Sequence, residues 1–135
     1  MGLGGHHSDG IQPKRFLQPC LLLLIAEEPG HGYDLLERLG VFGFDRDPGG
    51  LYRALRSMER DGLVRSEWEL SEAGPGRRRY YLTPAGEQRL HAWAASLLQT
   101  RLTVQAYLER YRVILQARRA ASGDAAGTAH ATTRP

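Results

Sequence analysis

The sequence predicts a mainly α-helical fold with one small β-hairpin and a single long helix at its C-terminal end. Three observations support this fold class. A dense apolar segment ends at Pro29-Gly30, two helix starts combine an N-cap residue with proline, and an alternating segment is followed by a turn rich in Gly and Pro. The 135 residues suffice for one small domain with an appended element.

Composition and charge exclude several classes of protein. The chain has 18 Lys and Arg residues against 15 Asp and Glu, a formal net charge of +3, so the clustering of charge matters more than its sum. The single cysteine, Cys20, cannot form an internal disulfide. The apolar run at residues 20–26 is too short to span a bilayer and leads into Glu27 and Glu28 without a small-residue cleavage site. We therefore expect a cytoplasmic protein with no membrane segment.

Two helices are predicted before Gly40. Residues 16–28 are apolar on nearly all sides, which is typical of a buried helix, and Pro29-Gly30 ends it. A second helix is expected at residues 32–39. Its candidate core contacts are Tyr33, Leu35, Leu36 and Leu39.

A third helix has the sharpest boundary signals. Asp47 supplies an N-cap oxygen before Pro48, and Asp61-Gly62 is typical of a helix end. Residues at i, i+3, i+4 and i+7 form one apolar stripe, which comprises Leu51, Ala54, Leu55 and Met58. The opposite face carries Gly50, Arg53, Ser57 and Arg60, flanked by Tyr52 and Arg56.

A hairpin and the longest helix complete the predicted fold. Residues 63–70 alternate in polarity, residues 73–76 are expected to turn, and residues 77–82 form a second strand. Thr83-Pro84 repeats the N-cap and proline signal and starts a helix that is expected to end near Arg118.

The long helix carries an apolar heptad repeat in two companion rows, which is typical of a coiled-coil seam. A seam of this length has too little of its own chain to pack against, so we expect a second copy of the chain as its partner. The predicted dimer interface comprises Leu90, Trp93, Leu97, Val104, Tyr107, Tyr111 and Ile114.

Three helices followed by a hairpin form the winged helix-turn-helix order, which suits DNA. A major groove admits one α-helix, and side chains in the N-terminal half of that helix reach the base edges. The alternative is a solvated helix face with ordinary i, i+4 ion pairs. The candidate DNA contacts on this helix are Gly50, Tyr52, Arg53, Arg56, Ser57 and Arg60.

Three consecutive arginines, Arg77, Arg78 and Arg79, strengthen the DNA interpretation. In a hairpin they lie where a wing can meet the nucleic acid backbone or enter a minor groove. Strand alternation puts Arg78 on the face opposite Arg77 and Arg79, so that one of these arginines can pack inward on its stem. The alternative is that the charges protect the edge of a short strand from pairing.

The predicted organisation therefore has four segments. Residues 1–14 form a disordered tail, residues 15–83 the winged helix-turn-helix DNA-binding domain, residues 84–119 the dimerisation helix, and residues 120–135 a second disordered tail. By two-fold symmetry, a dimer of this kind predicts a palindromic operator.

The chain resembles the PadR family of transcriptional regulators over about residues 16–95. The resemblance rests on residues 30–35 (GHGYDL), residues 50–52 (GLY), residues 55–63, and residues 79–83 (RYYLT) in the wing. It implies a winged helix-turn-helix homodimer that usually represses transcription and releases DNA on a signal. The single C-terminal helix is similar to the shorter subgroup of that family, and residues 16–20 are similar to its polyhydroxybutyrate-responsive repressors.

Two positions depart from the pattern of that family. Gly50 stands where many members have Thr or Ser, and Arg53 stands where they have Pro, so a hydroxyl is missing and a cation is added. The resemblance still implies DNA contacts from Tyr52 and from the wing arginines around Arg77 and Arg79.

The resemblance also implies a site for a small aromatic or hydrophobic effector. Some short members of the family hold flat aromatic compounds between two copies, against tryptophans of the last helix. Trp93 and Leu97 are the corresponding candidates, and the alternative is that Trp93 only fills the dimer seam. Trp68, in the wing, is interpreted as a packing residue.

No motif points to catalysis, a metal or a cofactor. The chain lacks GxSxG, HExxH, a P-loop, and GxGxxG after a strand, so we expect neither an enzyme nor a bound cofactor. Cys20 lies in an apolar helix and is expected to be inert. The main rival function is a winged module that dimerises and binds a protein or a granule surface, and the three wing arginines argue against it.

Overall fold

The computed structural model describes residues 16–71 and 74–133, with side chains as far as residue 124. The elements are α1 (Leu17–Glu27), β1 (Gly30–His31), α2 (Gly32–Arg38), a 3-10 turn (Leu39–Phe42), α3 (Pro48–Arg60), β2 (Val64–Ser71), β3 (Gly74–Leu82) and α4 (Pro84–Thr133). The predicted fold class, mainly helical with a small wing and a long C-terminal helix, is confirmed. The tail predicted at residues 1–14 lies outside the described residues.

The chain divides into two compact units, residues 1–94 and residues 95–135. The first unit has a continuous core in which α1, α2 and α3 pack with the base of the sheet. Full burial of one such aliphatic side chain contributes roughly 1.5–3 kcal/mol to folding. The core residues with the least exposure are Cys20, Leu21, Leu22, Ile25, Leu35, Leu51, Leu55, Met58 and Val64.

Most of the predicted core contacts are confirmed, and one is wrong. Leu35, Leu36 and Leu39 are buried, whereas Tyr33 is 62% exposed. The reason is its position in the first turn of α2, one residue after Gly32, where the helix turns its side chain towards solvent. The guanidinium of Arg46 stacks there, 5.3 Å from the centre of the Tyr33 ring.

Both predicted N-caps are confirmed. The Asp47 carboxylate accepts a hydrogen bond of 3.0 Å from the backbone N–H of Gly50 at the start of α3. The Thr83 hydroxyl accepts a bond of 3.0 Å from the N–H of Gly86 and donates one of 2.6 Å to the carbonyl of Gly62. The second cap therefore also fixes the start of α4 against the turn that follows α3.

The wing contains three strands rather than the two that the sequence predicts. Strand β1 pairs antiparallel with β3 through Gly30 with Tyr80 and His31 with Arg79, which gives the order β1-β3-β2. A two-residue strand has no periodicity of its own, so Pro29-Gly30 indicates only a helix end.

The predicted turn at residues 73–76 is wrong in position. Residues 74–76 belong to β3, and the two residues that connect the strands lie outside the described residues. Gly and Pro favour turns in isolated sequence, but here backbone pairing with β2 as far as Ser71 and Gly74 holds this segment extended.

The predicted end of the last helix near Arg118 is also wrong. Helix α4 continues to Thr133, which places most of the disordered tail predicted at residues 120–135 in the helix. The segment is rich in alanine, the best helix former, and extending an existing helix needs no new nucleation.

Candidate nucleic-acid interface

Helix α3 places three arginines on its solvent-exposed side. Leu51, Leu55 and Met58 face the core. At about 100° per residue, Arg53, Arg56 and Arg60 lie on the opposite face, and all three are exposed. The predicted division of α3 into an apolar and a basic face is therefore confirmed.

The flanking positions of α3 differ in exposure. Tyr52 lies on the edge that faces the wing and is 38% exposed. Ser57 and Gly50 lie towards the other edge and are half-buried. The Gly50 N–H is already used by Asp47, and a side chain there would run into the Asp47 carboxylate. A side chain at position 50 would therefore require the Asp47 carboxylate to shift from its position in the helix cap.

The strand register separates the wing arginines. Arg78 pairs with Trp68, whereas Arg77 pairs with Glu69 and Arg79 pairs with Glu67. Because alternate residues face opposite sides of a sheet, the side of Arg78 differs from that of its two neighbours, as the alternation predicts.

Arg78 is held on its side by two neighbours. Its guanidinium carbon lies 5.7 Å from the centre of the Trp68 ring, and its Nη1 donates a hydrogen bond of 3.1 Å to the Ser66 hydroxyl. The same hydroxyl donates a bond of 2.8 Å to the Glu59 carboxylate. This chain of contacts connects the wing to α3.

Trp68, which the sequence indicates as a packing residue, packs on the surface of the wing and not in the core. Its side chain is 58% exposed and lies over Gly76, where an added Cβ would come within 2.7 Å of the indole ring. The described core closes at Val64 and Tyr80, nearer the base of the sheet.

The other side of the wing carries charges of both signs, and Glu67 there is ion-paired with Arg65. Glu67 and Glu69 face Arg79 and Arg77, and His31 Nε2 lies 2.9 Å from Glu69 Oε1. The hydrogen bond from His31 lowers the pKa of the Glu69 carboxyl, and the charges of Arg79 and Arg77 act in the same direction. Arg77 and Arg79 therefore each have a carboxylate as their register partner, whereas Arg78 does not.

A cavity of about 410 Å³ lies between α3 and the wing. Of the described residues, three arginines and three tyrosines contribute to its wall, and no carboxylate does. Its floor includes Tyr80, which is 5% exposed; burial raises the pKa of the Tyr80 hydroxyl, so it stays neutral. The lining residues are His31, Gly32, Tyr33, Tyr52, Arg56, Gly76, Arg77, Arg78 and Tyr80.

Tyr52 stands against the backbone of α2 at one wall of this cavity. An added Cβ at Gly32 would lie 2.6 Å from the Tyr52 hydroxyl oxygen and would clash with the ring. Gly32 therefore allows the tyrosine to lie flat against the start of α2.

The structure brings together only part of the predicted DNA-contact set. Tyr52, Arg56, Arg77 and Arg78 share the cavity, whereas Arg53 and Arg60 lie on α3 outside its lining. Arg79 is half-buried on the other side of the wing.

Sequence reasoning misses several residues of the same cavity. Three of them, His31, Gly32 and Tyr33, lie in the GHGYDL segment that carries the family resemblance, and that segment is the signal that points to them. The roles of Gly76 and Tyr80 depend on strand pairing, for which the sequence has no local signal.

The predicted dimer residues fall into two groups. Leu90 and Trp93 are half-buried and pack against the core of the first unit, so each has a contact within its own chain. In the second unit Leu97 is half-buried, and the other predicted residues are exposed by between 48% and 68% of their surface: Val104, Tyr107, Tyr111 and Ile114.

The remaining candidates have simple environments. Cys20 is buried, and desolvation raises the pKa of its thiol to about 12, which keeps it protonated. Among the described residues no three His, Cys, Asp or Glu side chains are grouped to hold a metal ion. No helix in the described part of the chain has the length and apolarity that a membrane crossing needs.

Comparison with known proteins assigns the chain to a family. Residues 21–92 match the model of the Transcriptional regulator PadR-like family. The chain is 40% identical over 65 residues to the transcriptional regulator Rv3488 of Mycobacterium tuberculosis. That match covers 48% of this chain and 60% of the relative, so it spans about three fifths of the length of the curated relative.

Solved structures agree with this match. A PadR-like transcription factor from Bacteroides fragilis is 31% identical with a TM-score of 0.62, covering 73% of this chain and 96% of that one. A PadR-like regulator from Bacillus cereus is 30% identical with a TM-score of 0.63, covering 70% and 93%. Bacillus subtilis PadR, solved in complex with operator DNA, is 22% identical with a TM-score of 0.54, covering 58% and 47%. This last likeness shows the fold alone.

Proposed function

The chain belongs to the PadR-like family of transcriptional regulators, and on that premise we propose that it binds DNA in a sequence-specific manner as a homodimer. Helix α3 enters a major groove, the wing meets the flanking backbone, and the dimer represses transcription in the cytoplasm until an effector releases it. The observation that carries this proposal is the exposed basic face of α3 beside the cavity that Arg56 shares with Arg78.

The positions of the arginines along α3 support different contacts with DNA for different residues. Arg53 lies in the N-terminal half of the helix, on the face opposite the core, where side chains reach base edges. Arg60 lies on the same face near the other end, and Tyr52 and Arg56 lie nearer the wing. We therefore assign base contact to Arg53 first and backbone contact to the residues that line the cavity.

A solved complex of a protein with the same fold supports the assignment of DNA as the partner. Bacillus subtilis PadR, which shares this fold, is solved as a complex with operator DNA. A two-fold dimer of such units requires half-sites about one helical turn apart, or a multiple of it. The exposed apolar residues of the second unit, among them Val104 and Tyr111, are the surface that a second copy would cover.

The test is fluorescence anisotropy on the DNA upstream of the gene of this protein, with a scrambled duplex as competitor at near-physiological salt. We expect tight binding that survives the competitor. Arg53→Ala should lose about 1–3 kcal/mol of specific binding and relax discrimination at one base position. Arg112→Ala, which removes an exposed arginine of the second unit, is the matched control and should bind as the parent does.

The second candidate function is a winged module that binds a protein surface. It is favoured by Trp68 and Leu70, which are 58% and 87% exposed on the wing. Salt separates the two functions, because binding driven by phosphates weakens steeply as salt rises, whereas apolar protein contact does not. Equal binding of parent and Arg53→Ala, or no binding to any duplex at low salt, would favour this second function.

A further inference from the structure

We propose that the cavity between α3 and the wing binds a single backbone phosphate, and that Arg78, positioned by Trp68, is the wing arginine that holds it. This inference rests on the proposed function, since the phosphate belongs to the bound DNA. It goes beyond that function because it assigns different roles to three adjacent arginines that the sequence does not distinguish. It also assigns a role to the exposed side chain of Trp68.

The chemistry of the cavity wall fits an oxyanion. Arg56 supplies a guanidinium from α3, Arg77 and Arg78 supply two from the wing, and the Tyr52 hydroxyl can donate beside them. Among the described residues, no carboxylate lines the cavity to compete for these donors. Glu59, the nearest acid on α3, accepts its bond from Ser66 instead. The site is therefore cationic and polar.

The wing arginines differ in their electrostatic surroundings. Arg79 pairs in register with Glu67, and Arg77 pairs with Glu69, whose carboxyl also accepts the bond from His31. Arg78 pairs instead with Trp68, an uncharged ring. Arg78 is therefore the one of the three whose register partner carries no charge, so no carboxylate lies opposite it in the sheet to compete with an incoming phosphate.

Trp68 acts on Arg78 through position rather than through contact with DNA. An indole side chain that is 58% exposed contributes little to the core, so its packing does not explain its presence. It lies on Gly76 and stacks on the Arg78 guanidinium, while Ser66 bonds that guanidinium at 3.1 Å. A long flexible side chain is thus restricted to one direction before the ligand arrives, which lowers the entropy lost on binding.

The opposite wall is fixed in a similar way. Tyr52 lies against Gly32, where a Cβ would displace it. Tyr52 lines the cavity itself, whereas Trp68 contacts two of the lining residues, Gly76 and Arg78. The two rings belong to elements that the Glu59–Ser66–Arg78 contacts join. The two walls are connected before DNA binds.

The test compares Arg78→Ala with Arg77→Ala and with Arg79→Ala, each of which removes one positive charge from a neighbouring residue on the other side of the wing. Binding to operator and to scrambled duplex is measured by anisotropy over a range of salt. Each phosphate contact contributes roughly −0.9 to the slope of log K against log salt. Because the proposed homodimer contains this site twice, we expect Arg78→Ala to lose about two units of slope on both duplexes. Arg77→Ala should lose less, and Arg79→Ala should keep the slope of the parent. An equal or larger loss with Arg77→Ala or Arg79→Ala would overturn the proposal.

Trp68 is tested by its own pair of variants. Trp68→Leu should reduce the salt slope as Arg78→Ala does. Trp68→Phe should keep the slope of the parent, because a ring remains to stack on Arg78. In the Arg78→Ala background, Trp68→Leu should cause no further loss of slope. Thermal unfolding of each variant separates this effect from loss of the fold. A folded Trp68→Leu protein with the slope of the parent, or additive losses in the double variant, would contradict the positioning role.

A titration with inorganic phosphate distinguishes the two possible ligands of the cavity, a backbone phosphate of DNA and a free phosphate. Titrated into DNA-free protein at constant ionic strength, it should produce no saturable change in tryptophan fluorescence at millimolar concentration. Saturable binding that Arg78→Ala abolishes would overturn the assignment to nucleic acid and indicate a site for a free phosphorylated compound. A parent protein that binds operator and scrambled duplex equally well would overturn the proposed function. The comparison of slopes would still test the phosphate site, because the slopes are measured on the scrambled duplex as well.

Discussion

The two units of the chain differ in what they do with apolar side chains. The first unit buries leucines from three helices in one core, and Leu21, Leu35 and Leu55 have no exposed surface. From residue 95 to residue 124 none of the described side chains is buried, and Val104 and Ile114 are each about half exposed. Folding of the first unit is therefore explained by its own contacts, whereas the apolar face of the second unit gains free energy only if something covers it.

This difference separates stability from assembly. A change in the core should act on unfolding at any protein concentration, and a change on the exposed face should act through association, which depends on concentration. Leu90 and Trp93 stand apart from the rest of the predicted seam, because each already packs on the core of the first unit.

The largest effect is expected from a cavity in the core. Leu55→Ala should lower the free energy of unfolding by about 2–5 kcal/mol, since the removed atoms leave a void in a packed interior. Leu102→Ala, at a residue 49% exposed, should lower it by less than about 1 kcal/mol at concentrations where the chain is monomeric. Urea denaturation followed by circular dichroism measures both. Equal losses would show that the two units do not differ as described.

A charge on the exposed face should act on association instead. Val104→Glu would place a carboxylate in the predicted seam and should weaken self-association tenfold or more, about 1.4 kcal/mol or above, because the charge must be desolvated. Gln105→Glu, at the next residue and outside the predicted seam, is the matched control. Sedimentation velocity over a range of concentrations gives the dissociation constant. A parent chain that stays monomeric would refute the dimer, and equal effects of both variants would refute the predicted seam.

The smallest effect concerns a carboxyl of the wing. His31 holds the pKa of Glu69 below its ordinary value in the folded chain, so the ionised form stabilises the fold above the unfolded-state pKa. That contribution disappears as pH falls through the lowered value. The midpoint of thermal unfolding of Glu69→Gln should therefore lie below that of the parent near neutral pH and approach it in acid. Glu109→Gln, in the second unit, should show no such convergence.

Local signals explain how much of the fold the sequence predicts. The start of α3 depends on Asp47 and Pro48 and its end on Asp61-Gly62, so both bounds can be read within a few residues. Strand β1 depends on pairing with residues about fifty positions later, for which no local pattern exists.

The site is predicted in composition but not in arrangement. The arginines of α3 and of the wing stand out in the sequence as a cluster of cations. The register that puts Trp68 opposite Arg78 depends on where the hairpin turns, and a turn at residues 73–76 would give a different pairing. Only the structure therefore shows which wing arginines, Arg77 and Arg78, share the cavity with Arg56.

Dimethyl sulfate footprinting tests most directly whether α3 reads a major groove. Methylation of guanine N7 reports the major groove, and methylation of adenine N3 reports the minor groove. The account predicts protected guanines in two patches related by two-fold symmetry, spaced by one helical turn or a multiple of it, with that protection lost in Arg53→Ala. Bound DNA whose guanine N7 positions remain fully reactive, or whose protection is confined to adenine N3, would contradict it.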